Sequence, residues 1–229
     1  MGKKRAVVLL SGGLDSTTCM AVAQSEGCEL FPISFRYGQR HAKELIAARA
    51  VADYYNCERH LVIETNMEDI GGSALTDHRI DLPVGDLERT EIPATYVPAR
   101  NLIFLSYALG YAEVLGAAEI YIGVNALDYS GYPDCRPEFI RLFQQVADYT
   151  TKAAVEEGRR IIIKTPLIGL TKKEIVQLGQ KLQAPFHLTT SCYAGGPEAC
   201  GRCDSCLLRL RGFAEAGVVD PIKYARRPE

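Results

Sequence analysis

Positions 11–16, SGGLDS, hold residue types that bind phosphate, and they directly follow the apolar run 6–10. An unbroken apolar run of this length predicts a strand buried on both faces of a parallel sheet. Two glycines then allow a sharp turn and a close approach of the backbone to a ligand, and the Ala/Val/Met-rich pattern to about Ser25 predicts a helix. The free N–H groups and the dipole at a helix N-terminus favour an anion, and the serine hydroxyls add donors. The stretch therefore predicts an anion site, with an ordinary strand-to-helix turn as the alternative.

The turn differs from the common phosphate-binding motifs. It lacks the lysine of G-x-x-x-x-G-K-[ST], and it does not follow G-x-G-x-x-G. The string SGGLDST at 11–17 instead resembles the pyrophosphate loop (PP-loop) of the N-type ATP pyrophosphatases. These enzymes cleave ATP to AMP and pyrophosphate and adenylate an oxygen atom of their substrate. The resemblance implies that the anion is ATP.

Polar side chains also follow other predicted strands or begin predicted helices. Ligands of open parallel sheets bind at the carboxyl ends of the strands, so these side chains are placed to meet a substrate. Lys172 lies in the first turn of a predicted helix, where a cation opposes the helix dipole and an anionic ligand would offset it. At each position a solvated surface side chain is the alternative. The predicted substrate- or phosphate-binding residues are Gln39, Arg40, His41, Arg100, Asn101, Tyr132, Asp134, Arg136 and Lys172.

Four of the eight cysteines form the pattern C-x7-C-x2-C-x2-C near the C-terminus. They are Cys192, Cys200, Cys203 and Cys206. Four thiolates at short spacing in a glycine-bearing knuckle predict a closed tetrahedral zinc site. An iron–sulfur cluster is the main alternative because it also takes four cysteines, and reduced free thiols are another. A zinc ion held by four thiolates would have no open position and would be structural.

The remaining cysteines are scattered through the chain. A free cysteine usually behaves as a small core residue. Cys135 alone lies at the predicted ligand edge of the sheet, so it is also a candidate nucleophile. The other three are Cys19, Cys28 and Cys57.

Five predicted strands alternate with helices, which indicates the α/β class with a doubly wound, Rossmann-like parallel sheet. The strands are predicted at 6–10, 30–35, 60–63, 119–124 and 160–164. Right-handed crossovers put the first strand at the centre and the glycine turn at the switch point. A single helix is predicted over 139–157, and a T-x-x-E capping box begins another at Thr171.

The long stretch 65–98 has several glycines and prolines and no sustained periodicity. A loop of this length in a compact domain is usually a lid, a binding loop or disordered, and we expect a lid over the substrate. We expect residues 1–184 to form an ATP pyrophosphatase domain and residues 185–229 to form a zinc-binding subdomain.

Composition excludes several classes of protein. The 229 residues carry 26 Lys and Arg against 28 Asp and Glu, a net charge of −2, so no basic surface for nucleic acid is expected. Nothing approaches 18 consecutive apolar residues, so no membrane span is expected. MGKKRA leads straight into the first strand without room for a signal peptide, which predicts a cytoplasmic protein. Cysteines in that compartment serve as thiols or metal ligands rather than disulfides.

Five motifs together resemble the 7-cyano-7-deazaguanine synthase family. They are SGGLDSTTC, YGQRH, VPARN, DYSGYPDCR and the four-cysteine tail, and they span about residues 6–206. The resemblance implies a ligase of the queuosine or archaeosine precursor pathway that forms C–N bonds and is a homodimer. It would convert 7-carboxy-7-deazaguanine, ammonia and ATP into the nitrile, AMP and pyrophosphate. Adenylation would make AMP the leaving group, first from the carboxylate and then from the amide. The ammonia would be free, because no glutaminase domain fits in this length.

The resemblance also implies roles for particular residues. The ATP loop would comprise Leu10, Ser11, Gly12, Gly13, Leu14, Asp15, Ser16, Thr17, Thr18, Cys19 and Met20. The catalytic residues would be Asp15, Ser16, Arg100, Asp128 and Lys172. Mg²⁺ would bridge the phosphates, with Asp15 or Asp128 as ligand, and the four clustered cysteines would bind zinc. The sequence departs from the family at Leu14, often glutamine, at Ala99, often glycine, and at 125–129.

Three other functions use the same features. A tRNA-modifying PP-loop enzyme would need a basic RNA surface, which the charge balance disfavours. A related ligase would join the deazaguanine to a protein amine instead of ammonia. A nucleotide sensor would bind ATP without releasing pyrophosphate.

Overall fold

A parallel five-stranded sheet lies at the centre of the computed structural model, which describes residues 2–127 and 131–227. The strand order is β3-β2-β1-β4-β5, so the first strand is central, as predicted. The strands are β1 Arg5–Leu9, β2 Glu29–Arg36, β3 Leu61–Glu64, β4 Glu119–Tyr121 and β5 Ile162–Lys164. The doubly wound α/β class is confirmed.

Helices cover both faces of the sheet. They are α1 Leu14–Ser25, α2 Lys43–Tyr54, α3 Met67–Ile70, α4 Arg100–Leu115, α5 Pro137–Thr150, α6 Lys152–Val155, α7 Lys172–Lys181 and α8 Asp204–Glu215. One core forms between the sheet and α4, α5 and α6, and the other between the sheet and α1, α2 and α7. Strand β1 contributes alternate residues to the two cores, which explains its unbroken apolar run.

Strand β2 runs through Pro32, a residue that cannot donate to a sheet ladder. The N–H of Leu10, the residue after β1, donates to the carbonyl of Ile33 at 2.9 Å, so the polar groups of Ile33 face β1. Neighbouring residues of a strand face opposite sides, so the nitrogen of Pro32 faces β3. Pairing with β3 begins only at Ile33, and the missing N–H of Pro32 therefore costs no ladder bond.

The helix predicted over 139–157 is two helices, α5 and α6, which Thr151 separates with an extended backbone. The Thr151 hydroxyl donates to the carbonyl of Ala147 at 2.9 Å and accepts from the N–H of Ala154 at 3.3 Å. A threonine that satisfies both helix ends can stop one helix and cap the next. The capping box of Thr171 and Glu174 is confirmed.

The long connection, residues 65–99 between β3 and α4, is irregular apart from α3, and it packs against the domain. The Arg40 guanidinium donates to its backbone carbonyls at Ala74 (2.7 Å), Asp77 (3.1 Å) and Ile80. Movement of this segment as a lid stays a prediction. Among the described residues, no helix combines the length and hydropathy needed to cross a membrane.

The C-terminal part is joined to the domain through α8, which packs on α7. Arg209 of α8 is 2% exposed and forms a two-pronged ion pair with Asp220, with N–O distances of 2.7 and 2.9 Å. The same guanidinium donates to Thr189 Oγ1 at 2.7 Å. A buried charge needs this full set of partners, and the pair ties α8 to the chain on both sides of it.

Candidate active site and metal centre

A cavity of about 300 Å³ opens at the carboxyl edge of the sheet, where the sequence predicted the ligand site. The turn after β1, the start of α4 and the first residue of α7 all contribute to its wall. Predicted site residues in the lining are Leu10, Ser11, Gly13, Leu14, Asp15, Ser16, Arg100, Asn101, Tyr132 and Lys172. The tertiary structure thus brings together residues up to 162 positions apart in the sequence.

The predicted phosphate-binding loop, residues 11–16, contains several hydrogen bonds within itself. The Ser11 and Ser16 hydroxyls lie 3.0 Å apart, and the Ser16 hydroxyl donates to the Gly13 carbonyl at 3.1 Å. The N–H of Gly13 bonds Ser11 Oγ at 3.2 Å. Helix α1 begins at Leu14, so its first N–H groups lack carbonyl partners within the helix and face the cavity edge.

Gly12 has a left-handed backbone, with φ of 78°, and faces α2 rather than the cavity. An added Cβ would lie 2.5 Å from both the Glu44 carbonyl oxygen and the Ala48 nitrogen. The expectation that both glycines allow close approach to the ligand therefore needs correction. At Gly12 the close approach is to helix α2, and only Gly13 lines the cavity.

Four residues of the predicted ATP loop lie away from the cavity, inside helix α1. They are Thr17, Thr18, Cys19 and Met20, each fully buried. The hydroxyl of Thr18 donates to the Leu14 carbonyl at 3.0 Å. These residues position the loop through the core, and direct contact with ATP by them stays a prediction.

Asp15 and Lys172 form an ion pair across the cavity mouth, with Nζ 2.8 and 2.9 Å from the two carboxylate oxygens. Asp15 lies in the first turn of α1, and Lys172 is the first residue of α7. The lysine is unfavourable for the dipole of its own helix but is offset by this carboxylate. Asp128, the second predicted carboxylate, lies outside the described residues.

The start of α4 is anchored by the segment before α5. The N–H of Asn101 bonds the Asp134 carboxylate at 2.9 Å, and its side-chain amide donates to the Cys135 sulfur at 3.3 Å. Ala99 precedes the helix in a left-handed conformation, with φ of 54°. Asp134 thus acts as a helix cap supplied from 33 residues away.

Cys135 lines the cavity as a thiol. Burial, and then the neighbouring Asp134 carboxylate, raises the pKa of Cys135 to about 11. A thiolate is the reactive form, so this environment disfavours the candidate nucleophile at neutral pH.

Several predicted substrate-binding residues have partners elsewhere in the chain. The Gln39 side chain bonds the backbone of Tyr37 and Phe35, and Arg40 holds the long connection. His41 Nε2 lies 3.0 Å from the Cys192 carbonyl oxygen. Among the described residues, these three and the exposed Arg136 are absent from the cavity wall, and substrate contact by them stays a prediction.

Part of the cavity wall was not predicted from the sequence, including Tyr37, Glu44, Phe104 and Tyr193. Burial raises the pKa of Glu44, against the lowering effect of the nearby His41 and Arg100. Their position in the sequence could have indicated two of these residues, because Tyr37 and Glu44 flank the polar segment that follows β2.

The four clustered cysteines bring their sulfurs within 4.8 Å of one another. The sulfurs of Cys200 and Cys206 are 3.9 Å apart, close to the edge of about 3.8 Å for a tetrahedron with 2.3 Å metal–sulfur bonds. The N–H groups of Ala194 and Cys200 donate to the Cys192 sulfur at 3.4 and 3.2 Å. The structure describes all eight cysteines, and none forms a disulfide. The cluster is therefore compatible with a bound metal.

The chain is similar in sequence to known proteins along nearly its whole length. The model of the family described as "Queuosine biosynthesis protein QueC" matches residues 5–217. The 7-cyano-7-deazaguanine synthase 2 of Desulfitobacterium hafniense (strain Y51) is 61% identical over 224 residues, which cover 98% of this chain and 94% of that protein. The 7-cyano-7-deazaguanine synthase of Acetivibrio thermocellus is 58% identical over 98% of this chain and 99% of its own length. That of Oceanobacillus iheyensis is 56% identical over 98% of this chain and 100% of its own length.

The family match covers most of the chain, and the similar proteins align along nearly all of it. Among the described residues, each of the first four motifs contributes at least one residue to the wall of one cavity, and the four cysteines of the fifth form one cluster. This chain therefore belongs to the QueC family of queuosine biosynthesis proteins.

Proposed function

We propose that this chain converts 7-carboxy-7-deazaguanine and ammonia into 7-cyano-7-deazaguanine, using ATP and releasing AMP and pyrophosphate. The observation that carries the proposal is the 56–61% identity, over nearly the full chain, to relatives named for this synthase. The phosphate-binding loop and the cavity beside it supply the parts that an adenylating ligase needs.

In the first half of the reaction, the loop binds the pyrophosphate of ATP. The N–H groups at the start of α1 and the hydroxyls of Ser11 and Ser16 donate to phosphate oxygens. Lys172 leaves its contact with Asp15 and stabilises the charge that develops on pyrophosphate as it departs. Arg100 orients the substrate carboxylate, whose oxygen attacks the α-phosphorus. Asp15 or Asp128 would hold Mg²⁺, which would neutralise further negative charge on the phosphates.

In the second half, ammonia attacks the acyl carbon and AMP leaves, which gives the primary amide. The amide oxygen then attacks the α-phosphorus of a second ATP, and pyrophosphate leaves again. Loss of both N–H protons of the adenylated amide, together with departure of AMP, gives the nitrile. The protein contributes orientation and charge stabilisation, because the reacting groups all belong to the substrates.

Isotope labelling tests this proposal. With ¹⁸O in both carboxylate oxygens of 7-carboxy-7-deazaguanine, mass spectrometry should find two AMP molecules per nitrile, each with one ¹⁸O. A reaction without ammonium should form no amide and no nitrile. ADP with phosphate, one AMP per nitrile, transfer of the deazaguanine to a protein amine, or ATP binding without pyrophosphate release would overturn it.

The proposal includes a zinc ion on Cys192, Cys200, Cys203 and Cys206, and a division into an ATP pyrophosphatase domain (1–184) and a zinc-binding subdomain (185–229). The short distances between the four sulfurs and the absence of disulfides support the metal. Four protein ligands leave no open position, so the zinc would stabilise the fold rather than activate water. Reduced thiols also fit the proposed cytoplasmic location.

We further propose a homodimer. Large apolar side chains are exposed on the outer faces of α4 and α5, which favours a protein partner. They are Leu102, Tyr107 and Val114 on α4, and Leu142, Val146 and Tyr149 on α5, with Tyr149 81% exposed. Light scattering after size-exclusion chromatography should give twice the mass of 25.2 kDa. A Tyr149→Lys variant should then shift toward the monomer, whereas a monomeric parent chain would contradict the proposal.

A further inference from the structure

The cavity wall combines two kinds of residue, the polar residues of the loop 11–16 and a group of aromatic rings. Phe35 and Phe104 stack with ring centroids 3.8 Å apart, and Tyr37 meets Phe104 edge-on at 5.4 Å. Tyr132 and Tyr193 complete this wall. Flat aromatic walls suit a planar heterocycle, and enzymes that bind a nucleobase use the same arrangement.

Glu44 supplies a carboxylate within this wall. It lies in the first turn of α2, and its backbone carbonyl packs against Gly12, so its position relative to the loop is fixed. Within the described ranges 2–127 and 131–227, its carboxylate has no hydrogen-bond donor and no ion-pair partner. His41 and Arg100 are near enough to lower its pKa, but burial outweighs both and raises it.

Glu44 is half-buried, and a carboxylate that has lost part of its contact with water and has no donor is unfavourable, so a ligand with N–H groups would relieve this cost. Two carboxylate oxygens match two parallel N–H donors, as they do in the two-pronged pairing with arginine. The 2-aminopyrimidin-4-one ring of a deazaguanine presents two such donors side by side, the ring N1–H and the 2-amino group. Adenine presents one donor beside an acceptor, so the same carboxylate would meet adenine with one repulsive contact.

We propose that Glu44 recognises the N1–H and 2-amino edge of 7-carboxy-7-deazaguanine and thereby selects this base over analogues without the 2-amino group. This inference rests on the proposed function and deepens it. The 7-carboxylate projects from the opposite side of the bicyclic ring, so the two negative groups are kept apart. Arg100, the cation in the same wall, is then available to the anionic side of the substrate.

The experiment compares two substrates and three proteins. The substrates are 7-carboxy-7-deazaguanine and its 2-desamino analogue, and the proteins are the parent chain, Glu44→Gln and Glu44→Ala. We expect the parent chain to prefer the 2-amino substrate about 10- to 100-fold in kcat/KM, since a paired base contact discriminates on that scale. In Glu44→Ala most of this preference should disappear through a higher KM for the 2-amino substrate. Glu44→Gln, which keeps one acceptor oxygen, should lie between them.

Asp53→Asn provides the matched control, because Asp53 lies on the same helix but is exposed and outside the cavity wall. It should keep the parent preference. Melting temperatures exclude misfolding, and Glu44→Gln should be as stable as the parent chain, because it removes an unpaired charge. Calorimetric binding of the 2-amino substrate in the absence of ATP gives a second readout, with weaker binding expected in Glu44→Ala.

The outcomes separate the two proposals. A parent chain that forms no nitrile contradicts the proposed function. If the parent chain forms the nitrile but the preference is unchanged in Glu44→Ala, only the role of Glu44 is overturned. A fall in kcat that is equal for both substrates, with KM unchanged, would make Glu44 a proton-transfer group and would also overturn the inference.

Discussion

The predicted phosphate-binding loop (11–16) and the four-cysteine knuckle (192–206) differ in their interactions, although both lie at the same edge of the sheet. The loop combines hydrogen bonds within its six residues with contacts to distant segments: the N–H of Thr190 donates to the Gly12 carbonyl at 2.9 Å, and Gly12 is packed against α2. The buried cluster of the knuckle contains one side chain besides cysteines, that of Ala199. Packing of neighbours therefore contributes to the shape of the loop, whereas the proposed zinc would set the shape of the knuckle. The loop should be sensitive to added atoms and the knuckle to removed ligands.

The largest expected effect follows removal of a ligand from the knuckle. Cys203→Ala should lose the bound zinc and more than about 4 kcal/mol of stability, because loss of a metal is among the most destabilising changes. Metal analysis should find about one zinc per parent chain and little in the variant, with a lower melting temperature by calorimetry.

Cys57→Ala is the matched control. Cys57 lies outside the cluster, so its substitution should leave the zinc content unchanged. A Cys203→Ala protein with full zinc and parent stability would remove the contrast between the two regions. A brown parent protein that contains iron and labile sulfide would show that the four cysteines bind an iron–sulfur cluster instead of zinc.

The next effect follows an added atom in the loop. Gly12→Ala should cost about 1–2 kcal/mol for the left-handed backbone alone, and the overlap with α2 adds to this. ATP-dependent pyrophosphate release should fall at least about 100-fold, because the loop must shift from its binding geometry. Urea unfolding and a pyrophosphate assay measure the two effects.

The stability control for that variant is Gly13→Ala, whose backbone has φ of −84° and whose Cβ would be 3.3 Å from Ser11 Oγ. It should retain most of the parent stability. Equal destabilisation of the two variants would show that the packing against α2 does not decide the loop shape.

A smaller effect tests the contact between the knuckle and the long connection. Asp204 accepts from the N–H of Asp86 at 2.7 Å and pairs with Arg89 at 3.2 Å. Asp204→Asn keeps the first contact and loses the ion pair, with an expected cost of about 1 kcal/mol. A double-mutant cycle with Arg89→Gln should give a coupling energy of this size. Additive effects would show that the knuckle is not coupled to the long connection through this pair.

The smallest expected effect is an increase in stability rather than a loss. Ala99, like Gly12, has a left-handed backbone, but it already carries a Cβ. Ala99→Gly relieves backbone strain and should raise the free energy of unfolding by up to about 1 kcal/mol, offset in part by the greater freedom of glycine in the unfolded chain. Thermal unfolding measures the change. A clear loss of stability would contradict the argument that backbone strain controls both positions.

The sequence by itself determined the order of elements and the two local motifs. The apolar run before the loop predicts a central strand because only a strand covered on both faces has no polar side. The spacing of the four cysteines predicts a metal cluster because the ligands are close in the chain. The T-x-x-E box at Thr171 is also local, and the structure confirms it.

Only the tertiary structure decided which polar residues face the cavity. Arg40 and Arg100 have the same chemistry in the sequence, yet one holds the long connection and the other lines the cavity. The role of Gly12 depends on its close contact with α2, and the residues next to Gly12 in the sequence do not predict this contact. Glu44 was missed because its place in the cavity comes from helix packing, and contacts between distant segments leave no local pattern in the sequence.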